Sequence, residues 1–388
     1  MGEVLVLVDA EGGTVGGGVF QSIQRNGALM ASRLGVSLNV TRIAVRDLKK
    51  ARAVKIPASL LTTDWHSVVA DPAVNLVVEL MGGTTTARQV VLAALKLGKP
   101  VVTANKALLS AHGEELFEAA QRAGTNLYYE ASVAGGIPII KVLREGLIGN
   151  RITRLYGIVN GTCNYILTRM EQEKLAFADC LKEAQRLGYA EADPSFDIEG
   201  HDTAQKLSIL ASLTFGIKAD SRSIYVEGIS SIAPADLEAA DELGYRVKLL
   251  GVAVKTDKGI EQRVHPTMVP KASSIAQVMG VTNAVTIDGQ GIPPITLVGA
   301  GAGSAATASA VVADIADVAR GIRAEPFGRP VGGLKAISKA PMERHEGGYY
   351  LRLLARDLPG TAATIATRLA EQDISIESIV QRHPDRGD

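Results

Sequence analysis

The sequence predicts an α/β protein: a doubly wound parallel sheet, then a mixed α+β unit, then a small separate tail. Three observations carry that expectation. Apolar runs alternate with amphipathic stretches over the first 130 residues, the pattern of strands and helices in a sheet covered on both faces. That alternation gives way to a helix-rich, hairpin-containing pattern near residue 132. A Gly/Pro-rich stretch over 326–347 then sets off the end of the chain. With 388 residues, two or three domains fit.

The elements follow in order. Val4–Val8 reads as a buried strand, and a glycine cluster leads into a helix from about Gly16 to Leu34. Asn39–Val45 and Leu76–Leu80 are the next strands, Ala87–Leu97 a helix, and Pro100–Thr103 a short strand. Gly113–Ala123 reads as helix and Asn126–Glu130 as strand, closing a dinucleotide-binding domain over 1–131 that the returning segment 300–325 completes. In the second unit, 132–299, helices are predicted at Pro138–Gly146, Asn164–Glu173, Phe177–Leu187 and His201–Leu213. Arg246–Val254 and Gly259–Pro266 read as antiparallel strands around the polar tip Thr256–Gly259. Ala302–Gly321 is a small-residue helix packing back on the first domain, and 326–348 reads as a linker. In the tail, 349–388, strands are expected at Tyr349–Ala355 and Ile374–Gln381, around a turn at Asp357–Gly360 and a helix at Thr361–Gln372.

Composition narrows the function. Lys+Arg and Asp+Glu are both 41, and this neutral balance argues against a strongly basic nucleic-acid binder and an acidic tail. Aromatic residues are only 4%, so the core is aliphatic. Cys163 and Cys180 are too few for a disulfide framework or a four-thiolate zinc site, and the six histidines show no metal spacing. No apolar run reaches the roughly 18 residues of a membrane span, and Val4–Val8 is too short for a signal core, so a cytoplasmic protein is expected.

A dinucleotide fold needs G-x-G-x-x-G between first strand and first helix, where backbone N–H groups meet the pyrophosphate. Here the window is Glu11-Gly12-Gly13-Thr14-Val15-Gly16. Gly13, Thr14, Val15 and Gly16 occupy cofactor-binding positions, whereas Glu11 replaces the first glycine. A side chain there costs on the order of 1 kcal/mol or more if φ is positive. A carboxylate near the pyrophosphate adds about 1–4 kcal/mol of repulsion. Glu11→Gly is therefore expected to tighten cofactor binding, and an unchanged titration isotherm would refute the idea. Arg46, with Lys49, Lys50 and Arg52 nearby, suits a 2′-phosphate and favours NADP over NAD, which stays open.

Three segments look chemical: Thr103-Ala104-Asn105-Lys106 beyond a strand end, the glycine turn Glu130–Pro138, and the block from Gly188 to Leu207. In the last, Asp202 and Lys206 are i and i+4 and share a helix face, with Glu191 and Asp197 on the loop before it. Carboxylates beside lysine suit recognition of an ammonium group with acid–base work on an oxygen.

With Asn160-Gly161-Thr162-Cys163-Asn164 between them, these segments resemble homoserine dehydrogenase over nearly the whole chain. The resemblance implies a Rossmann-type domain and reversible NAD(P)H-dependent reduction of aspartate 4-semialdehyde to homoserine, in threonine and methionine biosynthesis. It makes Lys206 the proton donor and acceptor at the substrate oxygen and sets Lys106 between nicotinamide and substrate, with Glu191, Asp197 and Asp202 as substrate-binding acids. It assigns Thr103, Lys106, Gly188 and Gly303 to the cofactor region, and Glu130, Val133, Gly135 and Ile137 to a monovalent-cation site (sodium or potassium) built largely of backbone carbonyls. It further implies a homodimer through the second domain's sheet. A lysine ordinarily titrating near 10.4 is a poor base at neutral pH, and Lys106 as a neighbouring cation would lower that value, so a basic optimum is expected for oxidation.

Two other functions compete. One is a weakened relative that binds amino acid or cofactor without efficient turnover because of Glu11. The other is a thioester-forming semialdehyde dehydrogenase, which only Cys163 supports. The tail resembles part of an ACT regulatory domain, with a ferredoxin-like βαβ pattern and a ligand-loop signature at Asp357-Leu358-Pro359-Gly360. The full module needs about 70 residues, so threonine feedback through this piece is doubtful, and an unpaired sheet edge is expected.

Overall fold

The computed structural model describes residues 3–8, 14–336, 345, 347–356 and 358–381. Asp9, Glu11, Gly12, Gly13 and Asp357 lie outside the described residues.

The N-terminal unit runs β1 (Glu3–Val8), α1 (Thr14–Leu34), β2 (Asn39–Val40), β3 (Ile43–Ala44), β4 (Leu61–Thr62), α2 (Trp65–Ala70), β5 (Leu76–Leu80), α3 (Thr85–Lys96), β6 (Val101–Thr103), α4 (Lys106–Arg122) and β7 (Leu127–Tyr128). Five of these strands form a parallel sheet in the order β2-β1-β5-β6-β7. Its apolar side chains serve both faces: Val77 and Val101 pack with α3 and α4, whereas Leu76, Val78 and Val102 pack with α1. The chain order reverses direction beside β1, and ligands enter such sheets at the strands' carboxyl ends at that point.

The single strand expected at Asn39–Val45 is two. Asn39 and Val40 pair with β1, and Ile43 and Ala44 turn away to pair with Leu61 and Thr62. Helix α4 begins at Lys106, seven residues before the expected start, because Asn105 caps it by accepting from the Leu108 N–H at 3.0 Å. The expected strand to Glu130 stops at Tyr128 and coils into a 3-10 turn at Glu130–Ser132.

The second unit comprises α5 (Ile139–Lys141), which continues as a π turn to Gly146, β8 (Ile152–Ile158), α6 (Gly161–Glu173), α7 (Phe177–Arg186), α8 (Ser195–Ile198), α9 (His201–Phe215), β9 (Tyr225–Val226), α10 (Pro234–Glu242), β10 (Tyr245–Thr256), β11 (Gly259–Pro270), β12 (Thr282–Gly289) and β13 (Ile292–Ala300). Its mixed sheet has the order β13-β12-β8-β10-β11-β9. The expected hairpin is β10–β11, paired from Tyr245↔Pro270 to Thr256↔Gly259. The sequence reading missed β8 and the β12–β13 hairpin, although Gly289-Gln290-Gly291 marks the latter's turn, with Gly291 at φ +80°. Helix α11 (Ser304–Ala319) returns to the first unit and packs its Val311 and Ile315 with Val19 and Phe20 of α1.

The Gly/Pro-rich stretch is no free linker over 326–335. Phe327 is only 5% exposed, and its ring meets Phe117 edge-on at 4.8 Å. Tyr129 donates its hydroxyl to the Pro326 carbonyl at 2.6 Å. Val331 and Leu334 are buried, and Lys335 bridges to Ile217. These three apolar anchors sit at i, i+4 and i+7, a helix-face spacing, but Gly328, Pro330, Gly332 and Gly333 among them break a helix, and the segment runs as a strap.

In the tail, α12 (Thr361–Ala370) forms as expected. The strands expected at Tyr349–Ala355 and Ile374–Gln381 do not form among the described residues, and Leu354 is fully exposed. Alternating apolar residues make a strand only where another backbone pairs with them. The start of the tail is nonetheless tied down. Tyr350 donates to Asp236 at 3.0 Å, and Arg352 pairs with the same carboxylate at 3.2 Å.

Candidate functional site

The site forms where the carboxyl ends of β5 and β6 face α6 and α9. Thr103 donates its hydroxyl to Glu79 at 2.6 Å and accepts the Asn105 N–H at 3.0 Å. Asn105 also donates to the Gly83 carbonyl at 2.7 Å. Burial pushes the Glu79 carboxyl up, against the hydrogen bonds from Thr103 and Met81. This knot fixes Lys106 on the first turn of α4.

Helix α9 supplies the other half. Gly200, at φ +87°, starts it with an added Cβ only 3.0 Å from Val226 and Val264, so glycine suits both the angle and the space. The start sets Asp202 in the first turn, where the helix dipole favours an acid, and Lys206 one turn later. Asp202 is 3% exposed. One of its oxygens meets Lys106 Nζ at 2.8 Å, and the other meets Lys206 Nζ at 2.8 Å. Burial would raise the Asp202 carboxyl, but the Lys206 and Lys106 ammoniums outweigh it and hold the group well below the usual carboxylate range. Lys206 also donates to the Val159 carbonyl at 2.7 Å.

Asn160, the first residue of the Asn160–Asn164 motif, joins this cluster. Its Nδ2 donates to Asp197 at 2.7 Å and to Asp202 at 2.9 Å. Burial, then the Asp202 charge, pushes Asp197 up. An N-cap signal at Asn160 was readable from Asn160-Gly161-Thr162, but its reach to both acids was not.

The remaining expected positions are spread around this centre. Glu191 lies exposed on the loop after α7; its carbonyl accepts from Gln185 at 3.1 Å, and its carboxylate makes no ion pair among the described residues. Gly188 (φ +75°) and Gly303 (φ +107°) both border open space, since a Cβ there would meet nothing within 4 Å. Thr14 accepts the Ser304 hydroxyl on its carbonyl at 2.6 Å, which brings the N-termini of α1 and α11 side by side. Val15 and the buried Gly16 follow in α1's first turn. Gly18 permits the close approach, because a Cβ there would fall 2.5 Å from Ser304 Oγ. Two helix N-termini, open space at Gly303 and the sheet's switch point together fit a dinucleotide. Arg46 is exposed just beyond β3, not at the end of a strand of the main sheet.

The turn at 130–137 is tightly held. Glu130 accepts the Ile140 and Lys141 N–H groups at 2.8 and 2.9 Å, and its own N–H donates to Asp314 at 2.8 Å. Ala134 sits at φ +51°, and a Cβ on Gly135 would come 3.1 Å from the Gly301 carbonyl oxygen. Val133 and Gly135 are buried, and no described donor reaches their carbonyl oxygens. The Ile137 carbonyl already accepts the Ile139 N–H at 2.7 Å.

Cys163 is buried, and burial raises its thiol well above the ordinary value. Its Sγ donates to the Asp197 carbonyl at 3.2 Å. A thiol so placed is a structural donor and not a nucleophile, which removes the thioester reading. His201 is exposed at the start of α9 and takes no part in the cluster. No helix of the described residues is long and apolar enough to cross a membrane.

Comparison with known proteins agrees with this arrangement. A family model described as homoserine dehydrogenase matches residues 138–316, and one described as homoserine dehydrogenase, NAD binding domain, matches residues 12–130. The homoserine dehydrogenase of Pseudomonas aeruginosa is 47% identical over 97% of this chain and 88% of its own length. That of Neisseria gonorrhoeae is 46% identical over 95% of this chain and 86% of its own. The crystal structure of a homoserine dehydrogenase from Thiobacillus denitrificans superposes with a TM-score of 0.91 at 48% identity, covering 98% of this chain and 89% of that one. A hyperthermophilic archaeal homoserine dehydrogenase in complex with NADPH shares 26% identity at a TM-score of 0.67, over 83% of this chain and 99% of its own. With two lysines converging on one buried acid between a dinucleotide fold and a second lobe, the chain belongs to the homoserine dehydrogenase family, oxidoreductases that act on a CH–OH group with a nicotinamide cofactor.

Proposed function

We propose that Lys206 exchanges the proton at the substrate oxygen during interconversion of homoserine and aspartate 4-semialdehyde, with Lys106 and Asp202 completing the reacting centre. The observation that carries this reading is the Asp202 carboxylate bridging Lys106 and Lys206 at 2.8 Å each. A bound nicotinamide would supply the hydride exchange at the substrate's terminal carbon. Lys206, held beside Asp202 and the Val159 carbonyl, takes the hydroxyl proton as its neutral amine in oxidation and returns it from the ammonium in reduction. Lys106, 35% exposed at the front of α4, reaches from the cofactor side toward the same oxygen. Asp202 and Asp197 hold the substrate's ammonium group, with Glu191 joining from its exposed loop.

For the cofactor, Gly13, Thr14, Val15 and Gly16 would hold the pyrophosphate, and Thr103, Lys106, Gly188 and Gly303 would serve the nicotinamide end. Arg46, with Lys49 and Lys50 in the same exposed turn, favours NADP. The carbonyls of Glu130, Val133, Gly135 and Ile137 would hold a sodium or potassium ion, as the donor-free Val133 and Gly135 oxygens suggest. A homodimer through the second unit's sheet belongs to the same reading.

The test is nicotinamide absorbance with homoserine plus NAD or NADP, with phosphate and CoA added or omitted. Turnover should need neither addition, NADP should outperform NAD, and exchanging sodium and potassium for a bulky organic cation should slow it. No absorbance change under any of these conditions would select the weakened-relative alternative.

A further inference from the structure

We infer that Asn160 is a positioning residue for the reaction: its amide bridges Asp197 and Asp202 and lets two acids share one pocket in front of the lysines. The inference rests on the roles proposed above for Lys206 and Asp202.

The amide's orientation is fixed by its surroundings. Asn160 caps α6, and its Oδ1 accepts the Cys163 N–H at 2.8 Å. Nδ2 must then face the acids, and both of its hydrogens are used, one on each carboxylate. Only a carboxamide offers that pair of donors beside an acceptor, and asparagine is the one short enough to be a preferred helix cap. The preceding residue matters as well, since the Val159 carbonyl takes the Lys206 ammonium at 2.7 Å. Two consecutive residues therefore touch the proposed proton carrier, its partner acid and the second acid.

This turn is anchored from behind. A Cβ on Gly161 would come 2.8 Å from the Val281 carbonyl oxygen, so α6 begins hard against the loop before β12. Asn164 donates to the Val278, Gly280 and Thr282 carbonyls at 3.2, 2.9 and 3.2 Å. Lys248, buried on β10, donates to Asn164 at 3.0 Å and to the Val278 carbonyl at 2.6 Å. Asn160 thus extends from a braced platform into the pocket.

The bridge has an electrostatic consequence. The charged and titratable groups acting on Asp197 are Asp202 and Lys206 of α9 and Lys106 of α4, and the Cys163 thiol of α6 lies beside it, itself also facing Glu199. Burial and the Asp202 charge work against an ionised Asp197, and the Asn160 hydrogen bond opposes them. Removing that donor favours the protonated acid, which cannot attract an ammonium group. The acid limb of kcat/KM for homoserine should therefore move to higher pH.

Asn160→Ser keeps a capping oxygen but cannot span both acids, and Asn160→Asp keeps shape and cap acceptor while losing both donors. Cys163→Ala serves as control, because it removes the Sγ contact to the Asp197 backbone and some core packing but leaves the Asn160 amide on both carboxylates. Each Asn160 variant should lose about 10-fold or more in kcat/KM at neutral pH. Each should also shift the acid limb upward by about one pH unit. The control should leave the limb in place. If Asn160→Ser fails to fold, Asn160→Asp carries the test. A uniform rate loss with an unmoved limb would reduce Asn160 to a helix cap and overturn the inference. A near-normal rate for Lys206→Ala would instead strike the underlying reading, so the two failures are distinguishable.

Discussion

Lys206→Ala is expected to lower turnover by about 100-fold or more at saturating homoserine, the usual size of a general acid–base contribution. The side chain is 13% exposed, and its ammonium is held on one side by the Asp202 carboxylate and on another by the Val159 carbonyl. That geometry leaves Nζ little freedom, so the proton it exchanges has a defined place. In the alanine variant Asp202 keeps Lys106 and the Asn160 amide as partners, and the pocket retains much of its charge balance. The loss should appear mainly in kcat, with a smaller change in KM. Lys206→Arg should not restore the rate, because a guanidinium keeps the charge but holds its proton too firmly to exchange it. Steady-state rates of the two variants in both directions make the measurement, and a near-wild-type alanine variant would remove Lys206 from the mechanism.

Asp202→Ala should be damaging twice over. Removing the acid leaves two ammoniums facing one another with no counter-charge between them, one of them largely buried. Breaking such a buried pair costs about 3–5 kcal/mol, and the partial exposure of Lys106 argues for the lower end. Activity should fall with it, since both lysines lose the group that holds them.

The pH dependence follows from the direction of the Asp202 shift. Its folded value lies below that of the unfolded chain, near 3.9. Its stabilisation is therefore fully present above the unfolded value and is lost as pH falls through the depressed folded value. The stability gap between wild type and Asp202→Ala should be constant from about pH 5 to 8 and close only in stronger acid. Urea unfolding at several pH values checks this, and a gap that narrows between pH 7 and 5 would contradict the pairing.

The i, i+4 spacing of Asp202 and Lys206 was readable because a helix converts sequence spacing directly into neighbouring side chains. Lys106 could be placed near a strand end, but its meeting with Asp202 spans 96 residues of chain, and only the packing of two lobes creates it. The parallel sheet announced itself through runs such as Leu76–Leu80, buried on both faces. By contrast, β8 carries exposed Thr153 and Arg154 among its apolar residues, which blurs a short strand. The tail failed in the opposite sense: Tyr349–Ala355 has the right alternation but nothing to pair with. In the 326–335 strap, Phe327, Val331 and Leu334 are buried at the i, i+4, i+7 spacing of a helix face, but Gly328, Pro330, Gly332 and Gly333 among them forbid the helix that this spacing would announce. Asn160 is legible as a cap, because capping is local, but not as a bridge, because its two acids arrive from a loop and a different helix.

The strap has a mechanical consequence. The chain passes between the lobes at 130–138, again near Ala300, and a third time through 326–335, and the Gly136 N–H is pinned to the Ala300 carbonyl at 2.8 Å. Three tethers, two of them stitched together, hold the halves in register, with Phe327 packed against Phe117 of the first unit. Cutting any tether should therefore be felt at the reacting centre, because its two lysines come one from each half.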